Sequence, residues 1–211
     1  ALRPPAILVD VARLTRKSVE LLRASGTRTV IGLAAEPTPL VPAVVFPHED
    51  AGAAAARHLL DTGRVRPAAV VPREPGIDLM GERRLAGVRS VFPGAERVDL
   101  AFSEEEAAAF AARPDLPDGV FAYNDEYALL LISALQDAGI RVPEDVAVVG
   151  ADDLPLASLV RPRLTSVRFD ATASPAELVA LIDAMVRGER EVADGAVMTL
   201  FTPRLVVRQS A

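Results

Sequence analysis

Short runs of aliphatic and β-branched residues alternate with helix-patterned segments along the whole chain. That alternation restricts it to an α/β fold built on parallel sheets covered on both faces. Strands are expected over 6–9, 29–33, 43–46, 68–71, 98–102, 120–123 and 146–149, with terminal strands over 197–201 and 205–207 split by Pro203. Helices are expected over 14–24, stopped by Gly26, and over 51–60, with Asp50 as N-cap and Gly63 after the end. A third covers 82–91, and Ser103 with Glu106 forms a capping box for a fourth that reaches 112. The strongly apolar stretch 126–138 closes at Gly139, and Ser174, Pro175 and Glu177 open a last helix that ends before Gly188. Val146-Ala147-Val148-Val149 is apolar without a break, as in a strand buried on both faces. Proline-bearing joints at Pro47, Pro162 and Pro203 suit a chain that passes several times between two lobes.

Composition then narrows the function. The 211 residues allow one large domain or two small lobes, enough to bury a core without a disulfide or metal staple. Cysteine is absent, which removes thiolate metal sites, thiol catalysis and disulfides. The longest apolar run, 127–135, is far too short to span a membrane, and no basic segment precedes an apolar leader, so a cytoplasmic location is expected. A net charge of −6, a single lysine (Lys17) and scattered arginines give no surface for phosphates, so this chain is not expected to bind DNA unaided.

Ligands of open α/β sheets bind beyond the carboxyl ends of the strands. Three such ends carry polar side chains here. The strand at 120–123 leads into Asn124-Asp125, and the strand at 146–149 into Gly150-Ala151-Asp152-Asp153. The strand at 68–71 leads through a loop toward Arg83-Arg84. With those strands adjacent, Asn124, Asp152 and one arginine converge on one crevice. Asp accepts hydrogen bonds, Arg donates a planar fork and Asn does both, a set that suits a neutral polyol and disfavours a phosphate beside Asp152. Asp125 reads as the cap of the helix it opens, and Asp153 as turn or supporting residue. Arg84 also reads as a surface residue paired with Glu82. His48 falls in a Pro-His-Glu-Asp joint, and His58 on an Ala-rich helix. Neither has a triad partner, metal-ligand spacing is absent, and no Gly-rich phosphate loop occurs, so no enzyme, cofactor or metal site is expected.

The segments Tyr123-Asn124-Asp125-Glu126-Tyr127, Gly139-Ile140-Arg141-Val142-Pro143-Glu144-Asp145 and Val149-Gly150-Ala151-Asp152-Asp153 together resemble the lactose-repressor (LacI/GalR) family of transcription regulators. Arg84-Leu85-Ala86-Gly87, Pro162-Arg163-Leu164-Thr165-Ser166 and Pro203-Arg204-Leu205-Val206-Val207 fit in order, so the resemblance runs from about residue 7 to 208. It implies a periplasmic-binding-protein-like fold with two parallel-sheet lobes and three crossovers. The first lobe is expected at 1–46 plus 169–202, incomplete because the chain starts at what resembles the family's third strand. The second is expected at 47–168 plus 203–211. The resemblance places Arg84, Asn124 and Asp152 at effector-contacting positions and Phe46 as an apolar wall at the hinge. Ala34, Ala35 and Ala171 stand where the family often carries acidic or aromatic residues.

The function implied is that of an effector-binding and dimerisation domain. A small sugar-like ligand would alter lobe closure in a homodimer, and a helix-turn-helix headpiece absent from this chain would contact DNA. The alternative of the same fold is a solute-binding protein of a sugar transport system.

Overall fold

The computed structural model describes residues 4–211. Two compact units divide the chain, Ala1–Pro47 with Asp170–Thr202 and His48–Phe169 with Pro203–Ala211, so the backbone passes between them three times.

The first unit carries β1 (Ala6–Asp10), α1 (Arg16–Ala24), β2 (Thr29–Ala34), β3 (Ala43–Val45), α6 (Pro175–Arg187) and β9 (Val197–Met198). Its four strands pair in parallel in the order β1-β2-β3-β9. Thr15 and Ser18 make a reciprocal cap on α1, and Ser174 with Glu177 make one on α6, which ends at left-handed Gly188. The core is small, centred on Val19, Val30 and Val41, and α6 buries no residue completely. β1 lies at the sheet edge with Leu8 51% exposed. An unpaired strand edge beside exposed apolar surface templates association. The chain is therefore expected to show an apparent mass by light scattering that rises with concentration, and Leu8→Lys should lower it. A concentration-independent monomer mass for the unmodified chain would rule this out.

The second unit carries α2 (His48–Asp61), β4 (Pro67–Pro72), α3 (Asp78–Val91), β5 (Glu96–Leu100), α4 (Glu104–Ala111), β6 (Gly119–Phe121), α5 (Asp125–Asp137) and β7 (Ala147–Ala151). Its six-stranded sheet takes in β8 (Thr165–Ala171) and β10 (Phe201–Val206), in the order β10-β8-β7-β6-β4-β5. Successive strand residues face opposite sides. Val120 and Val148 therefore pack with Leu131 and Leu135 of α5 and Phe110 of α4, whereas Phe121 and Val149 pack with Leu59 of α2 and Leu85 and Val88 of α3. On that second face two helices touch backbone to backbone. A Cβ on Gly52 would lie 2.0 Å from the Arg84 carbonyl oxygen, and one on Gly87 would lie 1.9 Å from that of Glu49.

Three local expectations are corrected. α2 starts at His48, so His48-Glu49-Asp50 form its first turn rather than a joint capped by Asp50. α3 starts at Asp78, a turn earlier than the apolar spacing shows. Pro203 does not split the last strand, because β10 is the edge strand of its sheet and an edge tolerates a residue that cannot donate.

Candidate functional site

The strand order sets the place of the site. From β4 the chain runs outward to β5 and then returns across to β6, on the other side of β4. The carboxyl ends of β4 and β6 thus flank a topological switch point, where the crossing connections leave a crevice. Residues of α2, of α3 and of the loops after β6 and β7 meet there.

Arg84 is the centre. The Gly52–Gly87 approach brings its helix against the start of α2, and the side chain is only 4% exposed. Its Nε donates to Nδ1 of His48 at 3.3 Å, Nη1 donates to the Tyr123 carbonyl, and Nη2 reaches Oδ1 of Asp152 at 3.5 Å. The guanidinium carbon also lies 4.7 Å above the Tyr123 ring and 5.7 Å from that of Phe169. Burial lowers the guanidinium pKa, opposed first by the Asp152 charge. The neighbouring arginine does not share the site, since Arg83 pairs with Glu49 at 2.9 Å. Glu82 pairs with Arg97, so it is not the partner of Arg84.

His48 stands in this cluster rather than in a joint between lobes. Burial first, and the Arg84 charge second, pull its imidazole down to about 4. At neutral pH it is uncharged and keeps the Nδ1 lone pair that Arg84 needs.

Asp152 directly follows β7, with its side chain 40% exposed and a backbone φ of 95°. Packing around its carboxyl raises the pKa, and the Arg84 guanidinium opposes that rise. Asp153, at φ 50°, points elsewhere, to Arg208 at 2.7 Å and Arg168 at 3.7 Å.

Asn124 and Asp125 exchange the roles expected of Asp125 as cap. Asn124 is the N-cap of α5, its Oδ1 accepting from the Tyr127 amide at 3.0 Å. That leaves the Asn124 amide nitrogen, 3.5 Å from Glu126, as the group with donors to offer. Asp125 is the first residue of the helix and is buried, accepting from Ser166 and from the Leu154 amide.

An aromatic shelf not expected from the sequence completes the corner. Tyr127 lies edge-on to Tyr123 at 5.7 Å and to Phe102 at 5.3 Å, and Phe102 is 54% exposed on the loop after β5. Glu74, on the loop after β4, ties the shelf together. One of its oxygens accepts from the Phe102 amide at 2.6 Å, the other from the Tyr127 hydroxyl at 2.5 Å. The signal for this shelf was present as Tyr at 123 and 127, a helical spacing that reads as core. Phe46 belongs to the first unit, where its ring stacks on Phe201 at 4.7 Å with 12° between planes.

Chemically, the corner offers a fixed cation, an open carboxylate, an amide donor and aromatic rings. No cluster of metal-ligating side chains occurs among the described residues.

A family model described as a periplasmic binding protein-like domain matches residues 56–211. The chain is 31% identical over 170 residues to the arabinose metabolism transcriptional repressor of Halalkalibacterium halodurans, covering 73% of this chain and 44% of that protein. It thus spans less than half the length of that relative. Its fold matches that of a LacI family transcriptional regulator from Enterococcus faecalis with bound ribose, at TM-score 0.78 and 22% identity over 98% of this chain and 77% of that one. It also matches the transcriptional regulator CelR in complex with cellobiose, at TM-score 0.69 and 27% identity, covering 98% and 65% of the two chains.

Proposed function

The chain belongs to the family of periplasmic-binding-protein-like domains, and on that premise we propose that it is the effector-binding domain of a LacI-family transcription regulator. Its ligand is a small, neutral, polyhydroxylated molecule, a sugar or close analogue, held at the carboxyl ends of β4, β6 and β7. The observation that carries this reading is the pairing of buried Arg84 with half-open Asp152 at the switch point. Sugar hydroxyls both donate and accept, so Asp152 accepts from one or two of them while Arg84 and Asn124 donate. The apolar C–H face of a sugar ring packs on the face of an aromatic ring such as Phe102, which is 54% exposed.

The ligand is bound and released unchanged, in the cytoplasm. Regulation runs through a homodimer whose DNA contacts come from a headpiece elsewhere in the full-length regulator. The relatives named above are regulators, which favours this over a transport protein of the same fold.

Calorimetry with ribose, arabinose and cellobiose tests the reading. Asp152→Ala should weaken binding of the sugar that binds by about 1.5–3 kcal/mol, roughly ten- to 150-fold, the value of a charge-assisted hydrogen bond. Equal affinities for the two proteins would show that Asp152 is only a turn residue.

A further inference from the structure

The turn that presents Asp152 is held from beneath by a buried acid. Asp152 and Asp153 both lie in the left-handed region, at φ 95° and 50°, a conformation that non-glycine residues keep only when their surroundings fix it. Asp152 still pairs through its amide with the Val167 carbonyl at 2.8 Å, so the backbone departs from the strand at that residue. Below the departure sits Asp125, 0% exposed. Its Oδ2 accepts from the Leu154 amide at 2.6 Å, and its Oδ1 accepts from the Ser166 hydroxyl at 2.6 Å. That hydroxyl oxygen in turn accepts from the Asp153 amide at 3.1 Å. One carboxylate, directly and through one hydroxyl, therefore holds two successive amides of the turn. The strand leaves it room to do so, since a Cβ on Gly150 would lie 2.4 Å from Oδ1 of Asp125. On the outer side Arg208 ties the Asp153 carboxylate, so Asp152 alone is directed at Arg84.

We propose that Asp125 is a positioning residue of the ligand site, fixing the left-handed turn so that Asp152 faces Arg84 and the ligand. The proposal rests on the reading of Arg84 and Asp152 as ligand contacts.

The charged and polar groups around Asp125 come from two elements and one loop. Ser166 of β8 and the Leu154 amide donate to it, the carboxylates of Asp152 and Asp153 repel it, and the Arg84 guanidinium of α3 feels its charge. Burial first pushes its carboxyl up to about 6, the two donors oppose this, and the neighbouring carboxylates add to it. Protonation at Oδ2 sets a donor against the Leu154 amide, and protonation at Oδ1 reverses the bond with the Ser166 hydroxyl, so the hold on the turn weakens on the acid side.

The experiment has two arms. In the first, the ligand-free chain is titrated by amide NMR between pH 5 and 7.5. The amides of Asp153 and Leu154 should shift together with a midpoint near 6, and in Asp125→Asn that transition should vanish. In the second, calorimetry with ribose, arabinose and cellobiose is repeated across the same range. Affinity of the wild type for the sugar it binds should fall about tenfold from pH 7.5 to pH 5. Asp125→Asn, which mimics the protonated acid, should bind at pH 7.5 about as weakly as the wild type does at pH 5.

Wild-type amides that do not titrate, or an Asn variant with wild-type affinity at pH 7.5, would overturn the positioning role even where a sugar binds. A wild type that binds none of the sugars while its amides titrate as expected would instead overturn the ligand-site reading on which the role depends.

Discussion

Gly87→Val should destabilise the second unit by about 3 kcal/mol, the upper part of the usual range for forcing atoms into a packed contact. For a chain of this size that lowers the melting temperature by roughly 6–12 °C. The cause is geometric. A Cβ at Gly87 would lie 1.9 Å from the Glu49 carbonyl oxygen, and the obstacle is backbone rather than a side chain able to rotate away. The same holds in reverse at Gly52, whose Cβ would lie 2.0 Å from the Arg84 carbonyl oxygen. α2 and α3 must separate to admit the valine, and α3 carries Arg84. Sugar binding should therefore fail together with stability. Gly94→Ala is the control, because nothing lies within 4 Å of a Cβ there, and its effect should stay within about 0.5 kcal/mol. Thermal and urea melts of both variants measure this. An unchanged melt for Gly87→Val would mean that the helices do not touch through these glycines.

Asp125 should give the protein a stability that falls as pH rises from about 4 to 6. Its carboxyl is raised to about 6 in the folded chain, chiefly by burial, against an ordinary value near 4 in the unfolded one. Between those values the folded state keeps a proton that the unfolded state has released. The contribution is thus fully present below pH 4 and is lost by the time the folded acid has ionised. It amounts to at most about 3 kcal/mol, at 1.36 kcal/mol for each tenfold change in proton affinity. Asp125→Asn has no proton to lose. The stability of the variant relative to wild type should therefore improve by up to that amount between pH 4.5 and 7. Urea melts at pH 4.5, 5.5 and 7, taken as differences between the two proteins, cancel the other carboxylates. A difference that does not vary with pH would show that the carboxyl titrates no differently in the folded chain.

The parallel α/β plan was legible because the central strands β4 and β7 are apolar runs and because α4 and α6 open on side-chain caps. Strand ends bearing Asn124 and Asp152 were legible for the same reason, as polar residues directly after such runs. The choice between Arg83 and Arg84 was legible only through the family resemblance, for adjacent residues differ in the face of a helix whose start at Asp78 the spacing did not reveal. The exchange of roles between Asn124 and Asp125 was hidden by distance. Both residue types cap helices well, and what decides between them is Ser166, 41 residues further along the chain. His48 followed a proline and looked like surface. Only the contact of α2 with α3 through small residues turns it toward a buried guanidinium, and no local pattern records a contact between two helices.

The strand order β5-β4-β6-β7 also shapes how such a site can diverge. Glu74, Phe102, Asn124 and Asp152 each hang from the loop after a different strand, above cores formed by other residues. Substitution of the exposed Phe102 side chain can therefore retune one edge of the recognition surface, whereas Glu74 and Asn124 also hold the shelf and the start of α5. Arg84 and Asp125 are the exceptions, since each is built into a helix and packed below the loops. Ligand preference is expected to drift fastest through Phe102, whose side chain stands exposed. Those two buried charges would be the slowest of the group to change, because replacing either disturbs packing as well as recognition.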